Sequence, residues 1–303
     1  MLSTLKFIWQ HPISSVHRGA ALSRYARWQI GTRLLGAPVI IPFVESTQLV
    51  CERAITGATG SLYCGLHEFG DMGFVLHFRR AGDVFVDGGA NVGSFSVLAS
   101  GVVGAKSIAL EPVPSTFSAL RLNIVVNGLE GLIEPYCLAA GRRRGHVRLS
   151  TDRGPENGAV SASYSGASAE VNMTSLEGVI ENMHLALLKL DVDGSERDVL
   201  EGASRTLLQP TLKAVLLEGD SEPIAEMLSQ AGFGRASYSP LTRRLEMIGL
   251  RKPSVLGRRS LICGSGILSS FENGVLPRGG LPCTANPSNE LADSAVPSAR
   301  SHL

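Results

Sequence analysis

Val84-Phe85-Val86-Asp87-Gly88-Gly89-Ala90-Asn91-Val92-Gly93 and the nine residues after it carry the clearest structural pattern of the chain. Val84 to Val86 is a short apolar run that ends on an acid, and a glycine-rich turn follows. Beyond the turn, Phe95, Leu98, Ala99 and Val102 recur at helical spacing. A strand, a glycine turn and a helix in that order open a βαβ unit. Glycines at 88, 89 and 93 let the backbone turn sharply and let a ligand approach without a Cβ in the way. A helix starting near Val92 would offer unpaired N–H groups to a negative group on that ligand.

Residues 107–110 form the next apolar run, which ends on Glu111. Pro112-Val113-Pro114 opens a helix to about residue 126, and Asn127-Gly128 stops it. Residues 132–138 read as a third strand, left by the turn at Ala140-Gly141. Residues 141–183 carry no sustained pattern beyond a strand near 146–149 and a short helix near 176–182. Leu185-Ala186-Leu187-Leu188-Lys189-Leu190 is then a buried-strand run ending at Asp191. A helix over 196–208 and a strand over 214–217, ending at Glu218, follow.

Strands that alternate with helices and are apolar almost throughout predict a parallel sheet covered on both faces. In such sheets ligands bind beyond the carboxyl ends of the strands. Asp87, Glu111, Asp191 and Glu218 all fall there. One acid at a strand end is as readily a helix cap; four at successive strands point to a site on one rim. Glu111 follows the first glycine at about the 20-residue spacing from which an acid accepts hydrogen bonds from ribose hydroxyls. That suits any adenosine-bearing cofactor. Ala90 stands where a strict G-x-G-x-x-G needs glycine, which weakens a dinucleotide site.

Composition bounds the alternatives. The 303 residues are 44% hydrophobic and 18% charged, which excludes a wholly disordered or collagen-like chain. A net charge of +1 supplies no overall field for nucleic acid or an anionic membrane. The arginine runs lack the interleaved aromatics of a single-strand groove. No apolar run reaches the ~18 residues of a membrane span, and the longest is broken by Pro38 and Pro42. The N-terminus lacks both the apolar core and the cleavage site of a secretory signal. Cys51, Cys64, Cys137, Cys263 and Cys283 show no C-x-x-C spacing, so buried thiols in a reducing cytoplasm are expected. Three regions separate: an N-terminal extension or lid over 1–80, the main domain over 81–263, and a tail over 264–303. The tail is rich in Gly, Pro, Ser and Asn and is expected to be disordered.

The run from Phe85 to Gly93, with Ala109-Leu110-Glu111-Pro112, resembles the first two motifs of S-adenosylmethionine-dependent class I methyltransferases. Lys189-Leu190-Asp191-Val192-Asp193-Gly194-Ser195-Glu196 and Leu200-Glu201-Gly202-Ala203 resemble the FkbM family, whose pattern reads roughly K-x-D-x-E-G-x-E then L-x-G-A. Leu122-Asn123, Asn127-Gly128 and a lead-in at 60–69 and 74–78 extend the likeness over about residues 45–220. Asp193 departs from it, standing where the family more often has Glu. The resemblance implies a Rossmann-like α/β fold: a mostly parallel, seven-stranded class I sheet with helices on both faces. It also implies S-adenosylmethionine as cofactor and methyl transfer to a hydroxyl of a sugar or secondary metabolite. Cofactor contacts are then expected at Asp87, Gly88, Gly89, Ala90, Asn91, Gly93, Glu111 and Ala139. Asp87 or the backbone beside it would take the amino-acid end, Glu111 the ribose diol, and the turn at 138–141 the adenine.

A hydroxyl acceptor needs its proton removed, because its pKa lies far above 7. Asp191 and Lys189 alternate on one strand face at the ligand end and are the expected catalytic pair. Asp191 could act as base, orient a water, or bind a divalent cation with Asp193 or Glu218. Its plainer reading is a cap for the helix after Gly194, and that of Lys189 is a structural ion pair. Magnesium is allowed, but no ligand spacing calls for it and no metal residue is assigned. His67 and Glu68 could fold over the cofactor as a lid, although a lone histidine is more often structural; His77 is a weaker candidate still. His184 falls at the opposite rim. Arg142-Arg143-Arg144 reads as a solvated turn or as a clamp for a phosphorylated or carboxylated acceptor. Two rival readings stand beside the methyltransferase: an NAD(P)-dependent oxidoreductase, and a non-catalytic domain that binds S-adenosylmethionine or a sugar. The expected partner is a small-molecule or saccharide acceptor, with no nucleic acid and no integral membrane segment. Oligomeric state is not legible.

Overall fold

Five parallel strands with apolar residues on both faces form the centre of the molecule, so each face must be covered by helices. The computed structural model describes residues 2–53, 56–151, 158–161, 163–180, 183–219, 221–248 and 259–264. The expected tail over 264–303 falls, apart from Gly264, outside the described residues. The chain opens with helices α1 (Leu2–Gln10) and α2 (Arg18–Leu35) and the hairpin of β1 (Val39–Pro42) and β2 (Gln48–Cys51). Helices α3 (Thr59–Cys64) and α4 (Phe69–Phe78) lead into the first strand of the main sheet, β3 (Val84–Gly88). Helix α5 (Ser94–Val97) then runs on as a π-helical turn over Leu98–Val102. Strand β4 (Lys106–Leu110), helix α6 (Pro114–Val126) and strand β5 (Ile133–Tyr136) complete the first half.

The chain next builds a separate three-stranded sheet from β6 (Ala139–Ala140), β7 (Gly145–Ser150) and β8 (Ser168–Thr174), in the order β6-β8-β7. After the short α7 (Glu177–Ile180) it returns through β9 (Leu185–Leu190), α8 (Glu196–Glu201), α9 (Ser204–Leu207), β10 (Ala214–Glu218) and α10 (Glu222–Gln230). Strands β11 (Phe233–Ser239), β12 (Arg244–Met247) and β13 (Arg259–Gly264) close the sheet. Its order is β12-β11-β13-β10-β9-β3-β4-β5, with β13 inserted antiparallel between β10 and β11. Eight strands stand where seven were expected, because β12 folds back on β11 and adds one at the edge.

Alternation along the strands divides the core into two layers. Phe85, Leu187 and Leu216 pack on one face with Phe74, Leu98 and Leu120 from α4, the π-helical turn and α6. Val86, Leu188 and Leu217 pack on the other with Val199 and Ile224 from α8 and α10. Ile8, Tyr25, Trp28 and Tyr63 of the first 80 residues belong to the first of these layers.

Three local differences from the sequence reading have physical causes. The expected strand over 132–138 ends at Tyr136, and Ala140, read as part of the turn, instead belongs to β6 as the chain changes sheets. The expected helix over 196–208 breaks at Gly202, where a Cβ would collide with the Arg142 backbone, so the chain packs there without room for a side chain. Strand β8 lies in the stretch read as patternless because its residues are half-buried or exposed, which leaves no apolar signal. Among the described residues, no helix is long and apolar enough to cross a membrane.

Candidate active site

The rim at the carboxyl ends of the parallel strands is closed by loops that hydrogen-bond to one another. Gly89 and Ala90 both donate their N–H to the Leu110 carbonyl at the end of β4, at 3.0 and 2.9 Å. Asp191 donates its N–H to the Gly88 carbonyl at 3.0 Å. The glycine turn is therefore clamped between the ends of β4 and β9. Gly89 has a φ of 73°, and a Cβ there would run into the Asp191 carbonyl, so only glycine fits. Asn91 also takes a left-handed φ of 51°, which asparagine tolerates better than most residues, and its side chain accepts from the Val92 N–H.

Over this rim lies a cavity of about 1060 Å³. Its walls bring together Gly89, Ala90 and Asn91 of the glycine turn, Ser94 and Phe95 of α5, Glu111 after β4, and Ala139 of β6. Lys189, Asp191 and Asp193 line it from β9 and the loop beyond, as does Glu218 from the end of β10. Val147, Leu149 and Met173 of the three-stranded sheet line another side. Gly57, His67 and Glu68 come from the N-terminal region. Seven of the ten residues expected at the site thus share one space. Asp87, Gly88 and Gly93 do not line it.

Asp87 is turned into the core. Its Oδ1 accepts from Lys189 Nζ at 2.9 Å and its Oδ2 from Ser96 Oγ at 2.8 Å, and the residue is fully buried. Both oxygens are engaged by the protein, which sets Asp87 apart from a ligand contact. Lys189 also donates to the Gly89 carbonyl at 3.1 Å and lies 3.8 Å from Asp191 Oδ2. Its ammonium sits 5.1 Å from the centre of the Phe95 ring. Lys189 thus bridges two carboxylates, one in the core and one at the cavity. The structural and catalytic readings of Lys189 are therefore compatible.

Asp191 keeps about a quarter of its side chain exposed. It is Glu196, itself buried, that holds the loop before α8: its Oε1 accepts from the Val192 and Gly194 N–H groups at 3.4 and 3.3 Å. Asp193 occupies the middle of that loop with a φ of 48°.

Glu111 is buried, and its two oxygens accept from the Val113 and Asn91 N–H groups, each at 2.9 Å. Burial pushes its carboxyl up to about 7, against the opposing pull of those two amides and of the Lys189 charge. At each oxygen one further lone-pair direction remains for a hydroxyl.

His67 Nε2 lies 2.9 Å from Glu68 Oε1, and its Nδ1 is 3.0 Å from Ser61 Oγ. The His67 carbonyl is met by the His11 ring at 3.2 Å, so the end of α1 braces this wall. Arg142 lines the cavity while its guanidinium is held by Glu201 at 2.8 Å; Arg143 lines it too. His77 lies elsewhere, against the Tyr238 hydroxyl at 2.8 Å, and burial pushes it down to about 4.

Ser94 was not singled out from the sequence. Its hydroxyl is buried in the cavity wall with no hydrogen-bond partner among the described residues. The only signal for it was its place as first residue after Gly93. Among the described residues, no group of three His, Cys, Asp or Glu side chains is arranged to hold a metal ion.

A family model described as the methyltransferase FkbM domain matches residues 87–242, just over half of the chain. Among solved structures, one similar chain is a methyltransferase FkbM from Methylobacillus flagellatus KT, at 15% identity and a TM-score of 0.40. The match covers 60% of this chain and 43% of that one, so this chain spans less than half the length of that relative. An uncharacterised protein from Listeria monocytogenes serotype 4b matches at 12% identity and a TM-score of 0.39, over 64% of this chain and 67% of its own. A precorrin-6y C5,15-methyltransferase from Geobacter metallireducens GS-15 matches at 12% identity and a TM-score of 0.37, over 65% and 86%. No curated protein matches the sequence.

Proposed function

Because the chain belongs to the FkbM methyltransferase family, we propose that it moves a methyl group from S-adenosylmethionine to a hydroxyl of a saccharide or other small metabolite. The observation that carries this reading is the single strand-end cavity, in which the glycine turn and Glu111 share one space with Asp191 and Lys189. At about 1060 Å³ it stands at the top of the roughly 300–1,000 Å³ range of ligand pockets, which suits a large cofactor with an acceptor beside it.

The residues present fit the cofactor. Glu111 has lone pairs left for a ribose diol, and the Gly89–Asn91 turn lines the same space. The unpartnered Ser94 hydroxyl supplies a polar contact for the amino-acid end, the role that Asp87, engaged by Lys189 and Ser96, leaves open. When bound, S-adenosylmethionine supplies a methyl group activated by a cationic sulfur.

The chain's own work is alignment and proton removal. In-line displacement depends on holding the acceptor oxygen against the methyl carbon, and the mutual hydrogen bonds of the three loops keep the cavity floor rigid for that purpose. Asp191 receives the hydroxyl proton, which becomes acidic only as its oxygen bonds to carbon, so an ordinary carboxylate suffices at that moment. Lys189 lies 3.8 Å from Asp191 Oδ2, and Asp87 fixes the Lys189 side chain in place.

Calorimetric titration with S-adenosylhomocysteine, with NAD(P)H in parallel, tests the cofactor class. Micromolar binding, about −8 kcal/mol, that is lost in Glu111→Ala supports the reading. Binding of NAD(P)H instead would transfer it to an oxidoreductase. With an acceptor found by screening hydroxyl compounds, Asp191→Asn should keep cofactor affinity and lose turnover. Wild-type turnover in that variant would remove Asp191 as the base.

A further inference from the structure

The overall charge of +1 conceals a strong local asymmetry. Residues 1–44 contain no Asp or Glu but carry Lys6, Arg18, Arg24, Arg27 and Arg33. Arg24 turns inward and donates to the Leu62 and Tyr63 carbonyls, while Lys6, Arg18, Arg27 and Arg33 are exposed. The same segment exposes large apolar side chains. Leu2 and Trp9 of α1 are 85% and 53% exposed, and Ile30 and Leu34 of α2 are 60% and 78% exposed.

These residues form a stripe. On α2, Leu22, Ala26, Ile30 and Leu34 recur every fourth residue and so lie along one row of the helix. Leu22 meets Leu5 and Trp9 in a shallow groove between the two helices, which extends the row onto α1. Arg18 stacks over the Trp9 ring at 4.7 Å, and Arg27 and Arg33 flank the Ile30–Leu34 end. An exposed apolar row with an indole, bordered by cations and free of acids, is what the boundary between lipid headgroups and acyl chains accommodates.

We propose that the α1–α2 face is a docking surface for an anionic lipid bilayer, lying in its interface without crossing it. Charge complementarity selects this occupant: a second copy of the chain would set four exposed cations against four, and an ordinary protein surface offers no continuous anionic plane with an apolar layer beneath. The face is also tied to the active cavity, since His11 at the end of α1 bonds the His67 carbonyl and Arg24 holds α3. Docking would therefore engage helices tied by these bonds to the cavity wall and to α3.

The test uses the full chain with sonicated vesicles of phosphatidylcholine alone and with one third phosphatidylglycerol. Co-sedimentation should be roughly tenfold stronger with the anionic vesicles and should fall with salt. Trp9 emission should shift to the blue on binding, and Trp9→Phe should abolish that shift, because Trp28 is already buried. Ile30→Asp/Leu34→Asp should lose vesicle binding at unchanged helical content. Arg27→Glu/Arg33→Glu reads the electrostatic part alone, and serves if the first pair fails to fold. Absent binding to either vesicle, equal binding to both, or a dimer in sedimentation velocity that Ile30→Asp/Leu34→Asp dissolves would each overturn the proposal.

Discussion

Substituting Glu111 by Gln tests the electrostatics of the site without reference to any substrate. Burial lifts the Glu111 carboxyl from 4.5 to about 7, so the folded protein binds its proton more tightly than the unfolded chain does. For an acid raised in this way, the associated stability is fully present below 4.5 and is lost as pH rises through 7. Integrating the linkage between pH 8 and pH 5 for these two values gives about 2.5 kcal/mol in favour of the folded state at the lower pH. An amide cannot take up that proton. It also leaves one of the Asn91 and Val113 N–H groups facing an NH₂ group, which costs about 1–3 kcal/mol at every pH. The second effect shifts the whole curve and the first changes its slope, so the two separate cleanly. Urea unfolding of wild type and Glu111→Gln at pH 8 and pH 5 should show the wild type gaining about 2–3 kcal/mol on the variant as pH falls. Parallel pH dependence in the two proteins would refute the reasoning and return Glu111 to an ordinary, fully ionised carboxylate.

Three other substitutions probe the same rim. Gly89→Ala puts a Cβ into the Asp191 carbonyl at a φ of 73°, and should lower stability by a few kcal/mol and abolish S-adenosylhomocysteine binding by calorimetry; wild-type values would show that the turn yields. Lys189→Met leaves Asp87 buried without its cation and should cost about 3–5 kcal/mol in urea unfolding. Adding Asp87→Asn to it should recover part of that loss, and a strictly additive double variant would deny the pairing. Asn123→Ala removes the partner of both the Val50 N–H and the Val92 carbonyl, at 2.7 and 2.8 Å. It should cost about 2–4 kcal/mol and loosen the loop after the glycine turn, seen as faster amide exchange at Val92 and Gly93.

The rim was legible because parallel strands buried on both faces read as unbroken apolar runs that stop at an acid. Each of β3, β4, β9 and β10 ends within a residue of the acid or glycine that marked it. What those acids face was not legible. Asp87 and Lys189 stand directly opposite in the register of β3 against β9, a pairing between strands far apart in the chain. Sequence alone offered no way to see that the lysine expected at the acceptor would also neutralise the acid expected at the cofactor. For the same reason Ser94 passed unnoticed: a serine that opens a helix is common, and only the fold leaves its hydroxyl buried and unpartnered at a cavity.

The N-terminal region shows the opposite failure, one of averaging. Its cations and exposed apolar residues were all visible, but a charge summed over the whole chain cancels against acids that begin only at Glu45. An interface responds to local charge within about a Debye length, about 8 Å at physiological salt, and not to the total. Along α2, at about 1.5 Å per residue, Ile30 falls within such a distance of both Arg27 and Arg33, and Leu34 within it of Arg33. The quantity to read from a sequence is therefore charge per surface element, and here that takes knowing which residues α2 turns outward. Tyr25, Trp28 and Thr32 are buried against the core, which leaves the row of Ala26, Ile30 and Leu34 on the outer side. The core that seats α2 thereby selects the residues that meet the solvent.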